Sequence, residues 1–196
     1  MSGVKEKRRI EIIKESLKLF AKQGFYVTTI PVIAKSLNMS VGNLYNYFKS
    51  KEELAQEALK FISKYLADHI RKINESDLST RDKIRAIVLD YFVLAQDEPQ
   101  MIEFFLRVYL SNREVFNSGC EGMVCVNEFV TEIMIFFEEG VSKGDLKNQD
   151  FFSAFGLFMG YLGGMVFLQG EEILPKSLND YAEDISENIY NALKAR

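Results

Sequence analysis

The sequence predicts an all-α protein with a small N-terminal helical domain and a larger C-terminal helical domain. Apolar residues recur at steps of three and four, and no stretch alternates apolar and polar residues as a half-buried strand does. The three prolines, Pro31, Pro99 and Pro175, fall where a helix is expected to begin. With 196 residues, 47% of them hydrophobic, the chain is long enough for two cores. We expect residues 1–50 to form the small domain and residues 51–196 the larger one.

The first helix is predicted over residues 5–23. Its apolar face recurs at helical spacing from Ile10 to Phe20, and Gly24 follows as a left-handed C-terminal cap. The nine residues from Met1 to Arg9 are polar and basic, so we expect no secretory signal there.

Residues 28–51 predict two short helices joined by a tight turn, a helix-turn-helix. Thr29 is expected to cap the first short helix and Ser40 the second, whose Leu44 and Phe48 pack inward. The side chains left outside include two tyrosines and two amides but no carboxylate. Such a surface suits the major groove of DNA, where amides read base edges and tyrosine hydroxyls contact phosphates.

A set of DNA-binding residues follows from this arrangement. The predicted phosphate contacts are Thr28, Thr29, Tyr47 and Lys51, the predicted base contacts are Val41, Gly42, Asn43 and Tyr45, and Ser40 and Asn46 complete the set. In the alternative interpretation, Thr29 is only a helix cap and Tyr45 only packs.

The charge is divided unevenly along the chain, although its net value is only −4. Through Glu52 there are ten Lys or Arg against four Glu, whereas the remainder holds 14 basic and 24 acidic residues. A basic N-terminal domain favours contact with polyanionic DNA through counterion release. A charge run is more often a solvated surface, so this asymmetry supports the DNA hypothesis only together with the helix-turn-helix.

The later helices follow from capping signals and spacing. Ser50 and Glu53 form a capping box that opens a long fourth helix, and Ser79 or Thr80 caps the fifth. Further helices are predicted from Pro99 onward, over residues 123–139 with Gly140 as the stop, and over residues 151–169 and 177–194.

Residues 151–169 carry no charge over a length close to that of a membrane span, with three glycines four residues apart. Acidic flanks at Asp150 and Glu171, and the amphipathic segment that follows, argue against a span. We favour a helix buried on most sides, in the body and across a dimer interface, and keep the membrane span as the alternative.

The N-terminal quarter resembles the helix-turn-helix of the TetR family of bacterial repressors. The matching residues are Thr28-Thr29, Ile33-Ala34, Leu37, Gly42-x-Leu44-Tyr45-x-Tyr47-Phe48-x-Ser50-Lys51-Glu52-Glu53-Leu54 and, in the first helix, Leu19-Phe20-Ala21-x-x-Gly24-Phe25. Pro31 stands where the family usually has a polar residue, and Val41 and Asn43 replace the usual Lys and Thr. These departures leave the operator sequence open.

The resemblance implies a homodimer whose last two long helices pair with their copies, and a cavity for a small effector in the body. The predicted dimer contacts are Phe152, Gly156, Gly160, Gly164, Phe167, Tyr181, Ile185 and Ile189. The predicted ligand contacts are Tyr65, Phe92, Phe104, Phe105, Tyr109, Met123, Phe129, Phe155 and Met159, although most such aromatic residues are expected to be core. An apolar or aromatic effector suits this lining.

The leading hypothesis is a cytoplasmic, ligand-responsive transcriptional repressor that binds a near-palindromic operator as a dimer. A small-molecule carrier with a vestigial head is the alternative, and an enzyme is disfavoured because no catalytic set is clustered. No cofactor or metal is predicted, and His69 is interpreted as structural. Cys120 and Cys125 are expected to be ordinary thiols in a reducing compartment, with a redox switch as the alternative.

Overall fold

A computed structural model of the chain describes residues 2–109 and 124–195. In these residues the regular structure is helical apart from an isolated bridge between Leu146 and Lys194, which confirms the predicted fold class. In chain order, the helices of the described residues are α1 (Ser2–Gln23), α2 (Ile30–Ser36), α3 (Val41–Tyr45), α4 (Lys51–Asn74), α5 (Thr80–Asp97), α6 (Pro99–Glu103), α7 (Asn127–Ser142), α8 (Phe151–Gly170) and α9 (Ala182–Leu193). A π-helical segment, Phe104–Tyr109, follows α6, and short 3-10 segments, Val124–Val126 and Leu178–Tyr181, precede α7 and α9.

The described helices form two compact units. Unit 1 holds α1, α2, α3, the part of α4 up to Tyr65, and α6 with the π-helical segment. Unit 2 holds α4 from Leu66 onward, α5, α7, α8 and α9. The two units divide α4 between Tyr65 and Leu66. The predicted domain boundary at residue 50 therefore stays a prediction.

Unit 1 is built on the apolar face of α1. Leu17 and Phe20 are fully buried, and the Phe20 ring lies 5.4 Å from the Phe25 ring and 5.7 Å from the Phe104 ring. Gly24 has a φ of +84° and its N–H donates to the carbonyl oxygen of Phe20, which confirms the predicted left-handed cap.

Gly140 does not end its helix as predicted, because α7 continues to Ser142. A Cβ atom at Gly140 would lie 2.6 Å from Cδ1 of the buried Leu146. The left-handed turn instead falls at Gly144, with a φ of +76°. Gly140 therefore permits close packing within unit 2, whereas Gly144 supplies the turn.

Helix α8 is covered by its own chain along one stripe only, so its predicted burial on the other sides, across a dimer interface, stays a prediction. Its buried residues are Ala154, Phe158 and Leu162, which recur at steps of four and face the protein. Phe152 and Phe167 are 59% and 57% exposed. One stripe of the helix is thus covered by its own chain, and most of its remaining apolar surface is not.

Cys125 is buried in the 3-10 segment before α7 and is disulfide-bonded. The expectation of an ordinary thiol is therefore wrong for this residue. Cys120 lies outside the described residues.

Candidate DNA-binding site

The turn between α2 and α3 brings two short helices together in unit 1. Asn38 lies in this turn with a φ of +51°, a left-handed conformation that asparagine tolerates better than most residues. Its N–H donates to the carbonyl oxygen of Lys35, and the N–H of Met39 donates to that of Ala34. The chain thereby reverses tightly before α3 begins, as the sequence predicted.

Helix α3 is fixed at one end by a cap and along one side by a single buried residue. The hydroxyl of Ser40 accepts a hydrogen bond from the N–H of Asn43 at 3.1 Å, which confirms the predicted cap. Leu44 is fully buried. The remaining side chains of the short helix are therefore free to point outward.

The outward surface of α3 matches the predicted base-contact set. Val41, Gly42, Asn43 and Tyr45 are all exposed, as is Asn46 directly after the helix. No heavy atom lies within 4 Å of a Cβ built on Gly42, so the backbone there is open to approach. This face presents amides and a phenol with no carboxylate, a composition suited to the edges of base pairs.

Thr28 and Thr29 differ sharply in their surroundings. Thr28 is fully buried, and its hydroxyl lies 2.8 Å from the carbonyl oxygen of Gly24, so a phosphate contact from this hydroxyl is not supported. Thr29 stands at the N-cap position of α2 but makes no side-chain capping bond. The side-chain cap predicted for Thr29 is therefore absent, and its role in DNA binding stays a prediction for an exposed residue.

Tyr47 and Lys51, the other two predicted phosphate contacts, are half-buried at the edge of this surface. The ammonium group of Lys51 donates to the carbonyl oxygen of Phe25 at 2.9 Å and lies 4.2 Å from the centroid of the Phe25 ring. This contact fixes the start of α4 against the turn after α1.

Unit 2 contains a small apolar cavity of about 10 Å³. Its lining residues are Leu66, Ile70, Ile87, Asp90, Tyr91, Phe129, Ile133, Phe158, Met159 and Leu162. Burial raises the pKa of the Tyr91 hydroxyl, so this group is neutral at physiological pH. The space is about that of one water molecule, well below the few hundred Å³ typical of ligand sites.

The predicted ligand contacts within the described residues are divided between the two units. Tyr65, Phe104 and Phe105 belong to unit 1, where Phe104 packs on Phe20 of α1 as part of the core. Phe92 is fully buried in α5, and Phe155 stacks on Phe151, their ring centroids 5.5 Å apart. Met123 and the side chain of Tyr109 lie outside the described residues.

Phe129 and Met159 are the predicted ligand residues that line the cavity of unit 2. Sequence reasoning missed its other lining residues, because aliphatic positions at helical spacing do not separate a cavity wall from ordinary core. Tyr91 carried a weak signal, as a phenol within the apolar face of α5.

The predicted dimer residues fall into two groups. Phe152, Gly156, Gly160, Gly164 and Phe167 lie exposed along α8, and Tyr181 is half-buried. Ile185 and Ile189 are 2% and 0% exposed, so the prediction that they lie on a free face is wrong. Helix α9 packs along α5 and uses these side chains inside its own chain.

His69 is held by a partner in unit 2. Its Nδ1 lies 2.9 Å from both carboxylate oxygens of Asp90, which places the imidazole in a contact between α4 and α5. This geometry accords with the structural role that the sequence predicted.

Comparison with known proteins extends the resemblance. Residues 12–58 match the family described as bacterial regulatory proteins, tetR family. The uncharacterized HTH-type transcriptional regulator YerO of Bacillus subtilis is 25% identical over 205 residues, covering 96% of this chain and 69% of the relative. The HTH-type transcriptional repressor KstR2 of Mycobacterium tuberculosis is 28% identical over 141 residues, covering 62% of this chain and 70% of the relative.

A solved structure shows that the same fold occurs elsewhere. The crystal structure of a TetR family transcription regulator from Marinobacter aquaeolei matches with a TM-score of 0.81 at 16% identity, covering 100% of both chains. The match over residues 12–58 and the regulators among the relatives confirm the resemblance to the TetR family of transcriptional regulators seen in the sequence.

Proposed function

We propose that this regulator is a cytoplasmic repressor that binds a near-palindromic operator as a homodimer and is released by a small apolar or aromatic effector. The observation that carries the proposal is the surface of α3, whose side chains other than Leu44 are free of the core. Two such helices, one from each subunit, would enter successive major grooves about 34 Å apart.

Asn43 is the strongest candidate for reading sequence. Its side chain is exposed on α3, and an amide pairs with adenine through two hydrogen bonds in the major groove. Tyr45 is 49% exposed on the same short helix, and the hydroxyl of Thr29 makes no capping hydrogen bond. These two side chains supply further contacts to bases and phosphates. The half-buried Lys51 adds a positive charge at the start of α4.

Selection from a random duplex pool tests DNA recognition directly. The wild-type protein should enrich a near-palindromic site, and its affinity should fall steeply with added salt. Asn43→Ala should enrich a different site, since it removes a base contact, whereas Asn148→Ala, an exposed amide of unit 2, should not. Failure of the wild-type protein to enrich any sequence would end the proposal in favour of a carrier.

The open stripe of α8 supports a homodimer. Gly156, Gly160 and Gly164 are exposed, and a Cβ at any of them would meet nothing within 4 Å in the single chain. A helix from a second copy can approach closely along such a surface, and flanking aromatic side chains would cover the rest. We therefore assign the uncovered apolar surface of α8 to a second copy of this chain.

Helix α8 is also the one helix in the described residues with the length and composition of a membrane span. Sedimentation without detergent separates the two possibilities. The wild-type protein should sediment as a dimer, and Gly160→Leu should shift it toward monomer because the added side chain blocks the approach. The matched control Lys72→Leu adds the same side chain to an exposed position of α4. A protein that stays soluble only with detergent would favour the membrane.

The effector site is assigned to the cavity of unit 2. Because the cavity holds only about 10 Å³, an effector must separate α4, α5, α7 and α8 locally in order to enter. A ligand that binds only the expanded state of this cavity shifts the population of the protein toward that state. Helix α4, which lines the cavity, continues from unit 2 into unit 1. Native mass spectrometry of the purified protein should detect a retained apolar molecule, and Ile133→Trp, which fills the cavity, should lose it while still binding DNA.

A further inference from the structure

Two consecutive arginines of α1 reach the C-terminal ends of the two helices of the helix-turn-helix. The Nη2 atom of Arg8 donates to the carbonyl oxygen of Leu37, the C-cap residue of α2, at 3.2 Å. The Nη1 atom of Arg9 donates to the carbonyl oxygen of Tyr47, directly after α3, at 2.7 Å. One turn of α1 therefore contacts both short helices where their carbonyl groups lack helical partners.

Arg9 makes two further contacts that fix its position. Its Nη2 atom lies 3.1 Å from a carboxylate oxygen of Glu57 on α4, and its guanidinium carbon lies 4.4 Å from the centroid of the Phe48 ring. The Arg9 side chain is 24% exposed and that of Glu57 29% exposed. A planar guanidinium presents its donors in a fixed fork on separate nitrogen atoms, so Nη1 of Arg9 bonds the carbonyl while Nη2 bonds the carboxylate, whereas all donors of a lysine lie on one nitrogen atom.

These contacts give two of the basic N-terminal residues a structural role. A cation at the C-terminal end of a helix is stabilised by the partial negative charge of the unpaired carbonyl groups. Arg8 also pairs with Glu11, Nη1 to carboxylate oxygen, at 2.7 Å. Both arginines thus direct their donors to partners within unit 1, although they are among the basic residues whose excess in the N-terminal stretch favoured contact with DNA.

We propose that Arg9 is a positioning residue for the recognition helix α3, because its guanidinium group is held by Glu57 of α4 and in turn holds the carbonyl oxygen of Tyr47 after α3. Arg8 holds the end of α2 in the same way through Leu37. The proposal rests on the proposed function, because it concerns how accurately α3 meets its operator.

The test compares Arg9→Met with wild type in the full-length protein. The probes are the duplex that the wild-type protein selects and a scrambled duplex of the same length. Arg9→Met keeps an unbranched apolar stem but removes the donors, so affinity for the selected duplex should fall about tenfold or more. Affinity for the scrambled duplex should change less than about twofold, because misplacement of α3 affects base contacts most.

The salt dependence of binding separates positioning from direct contact. Loss of a phosphate contact lowers the salt slope by about one, whereas loss of a positioning contact leaves it unchanged. Arg9→Lys should recover little, since a single ammonium nitrogen does not reproduce the two separate guanidinium nitrogens that contact Tyr47 and Glu57. The matched control Lys7→Met removes an exposed charge from the same helix and should spare the preference for the selected duplex.

Four results would overturn the proposal: unchanged affinity for the selected duplex, an equal loss for both duplexes, a reduced salt slope, or full recovery by Arg9→Lys. If Arg9→Met does not fold, Glu57→Gln provides the second variant, because it weakens the hold on the guanidinium at nearly constant shape. It should lower affinity for the selected duplex with an unchanged slope, and wild-type affinity would count against the proposal. If the wild-type protein selects a site, any of these results counts against the role of Arg9 but not against the proposed function.

Discussion

The buried ammonium group of Lys83 lies 3.1 Å from each carboxylate oxygen of Glu139 and 2.7 Å from the carbonyl oxygen of Asn74. The Lys83 side chain is 2% exposed. These bonds join α5 to α7 and to the last residue of α4 within unit 2. In a second contact between α4 and α7, Nε of Arg71 lies 2.7 Å from a carboxylate oxygen of the buried Glu132. Polar contacts therefore fix the end of α4 in unit 2.

Breaking the Lys83–Glu139 pair should destabilise the protein. Glu139→Gln leaves a buried ammonium without its countercharge, and we expect the free energy of unfolding to fall by about 1–3 kcal/mol, reduced from the fully buried case because Glu139 is one-third exposed. Urea denaturation measures the loss. The double variant Lys83→Met with Glu139→Gln should lose less than the sum of the single variants, and strict additivity would show that the pair is not coupled.

Acid should weaken this pair in a defined range. The hydrogen bond from Lys143, followed by those from Lys83, holds the pKa of Glu139 below its ordinary value of 4.5, against an opposing effect of burial. Since the native state binds the proton less readily than the unfolded state, this contribution is present above pH 4.5 and is lost as pH falls through the native pKa. The stability difference between wild type and Glu139→Gln should therefore shrink as the pH falls below 4.5. A difference that stays constant with pH would contradict the assignment.

Gly140→Ala should destabilise unit 2 although alanine favours helices. The new Cβ would lie 2.6 Å from Leu146 Cδ1 and 3.3 Å from Thr80 Cγ2, so the buried leucine must move. We expect a loss of about 1–3 kcal/mol in the free energy of unfolding, typical of overpacking. The control Gly170→Ala places the same methyl group in open space on α8 and should show no loss.

Gly42→Ala should separate stability from DNA binding. The Cβ has open space in the single chain, and alanine in place of glycine within a helix adds up to about 1 kcal/mol of stability. If the backbone of α3 lies close to the bases, the same methyl group weakens operator binding. Thermal unfolding should rise while affinity for the selected duplex falls, and an unchanged affinity would place Gly42 away from the DNA.

Capping and turn signals were predictable from sequence because they depend on neighbours within a few residues. Ser40 caps α3, Gly24 takes a left-handed conformation, and Ser50 accepts the N–H of Glu53 as expected. The second half of the capping box differs, because the Glu53 carboxylate accepts the N–H of Lys49. Such shifts of one residue depend on backbone geometry that residue types do not specify.

Other predictions failed because neither an apolar residue at helical spacing nor a polar residue before a helix reveals which neighbour covers it. Ile185 and Ile189 were assigned to a dimer face, yet they are buried within their own chain. Thr28 was assigned to DNA, yet its hydroxyl lies inside unit 1 beside the carbonyl oxygen of Gly24.

The sequence by itself determined the helical fold class, the helix-turn-helix and its caps, and the composition of the α3 surface, because all of these are local patterns. Only the tertiary structure decided where α8 stays uncovered, how small the cavity of unit 2 is, and that Arg8 and Arg9 contact carbonyl groups at the ends of α2 and α3. These features depend on contacts between residues far apart in the chain, such as Arg9 and Glu57, which no single stretch of sequence encodes.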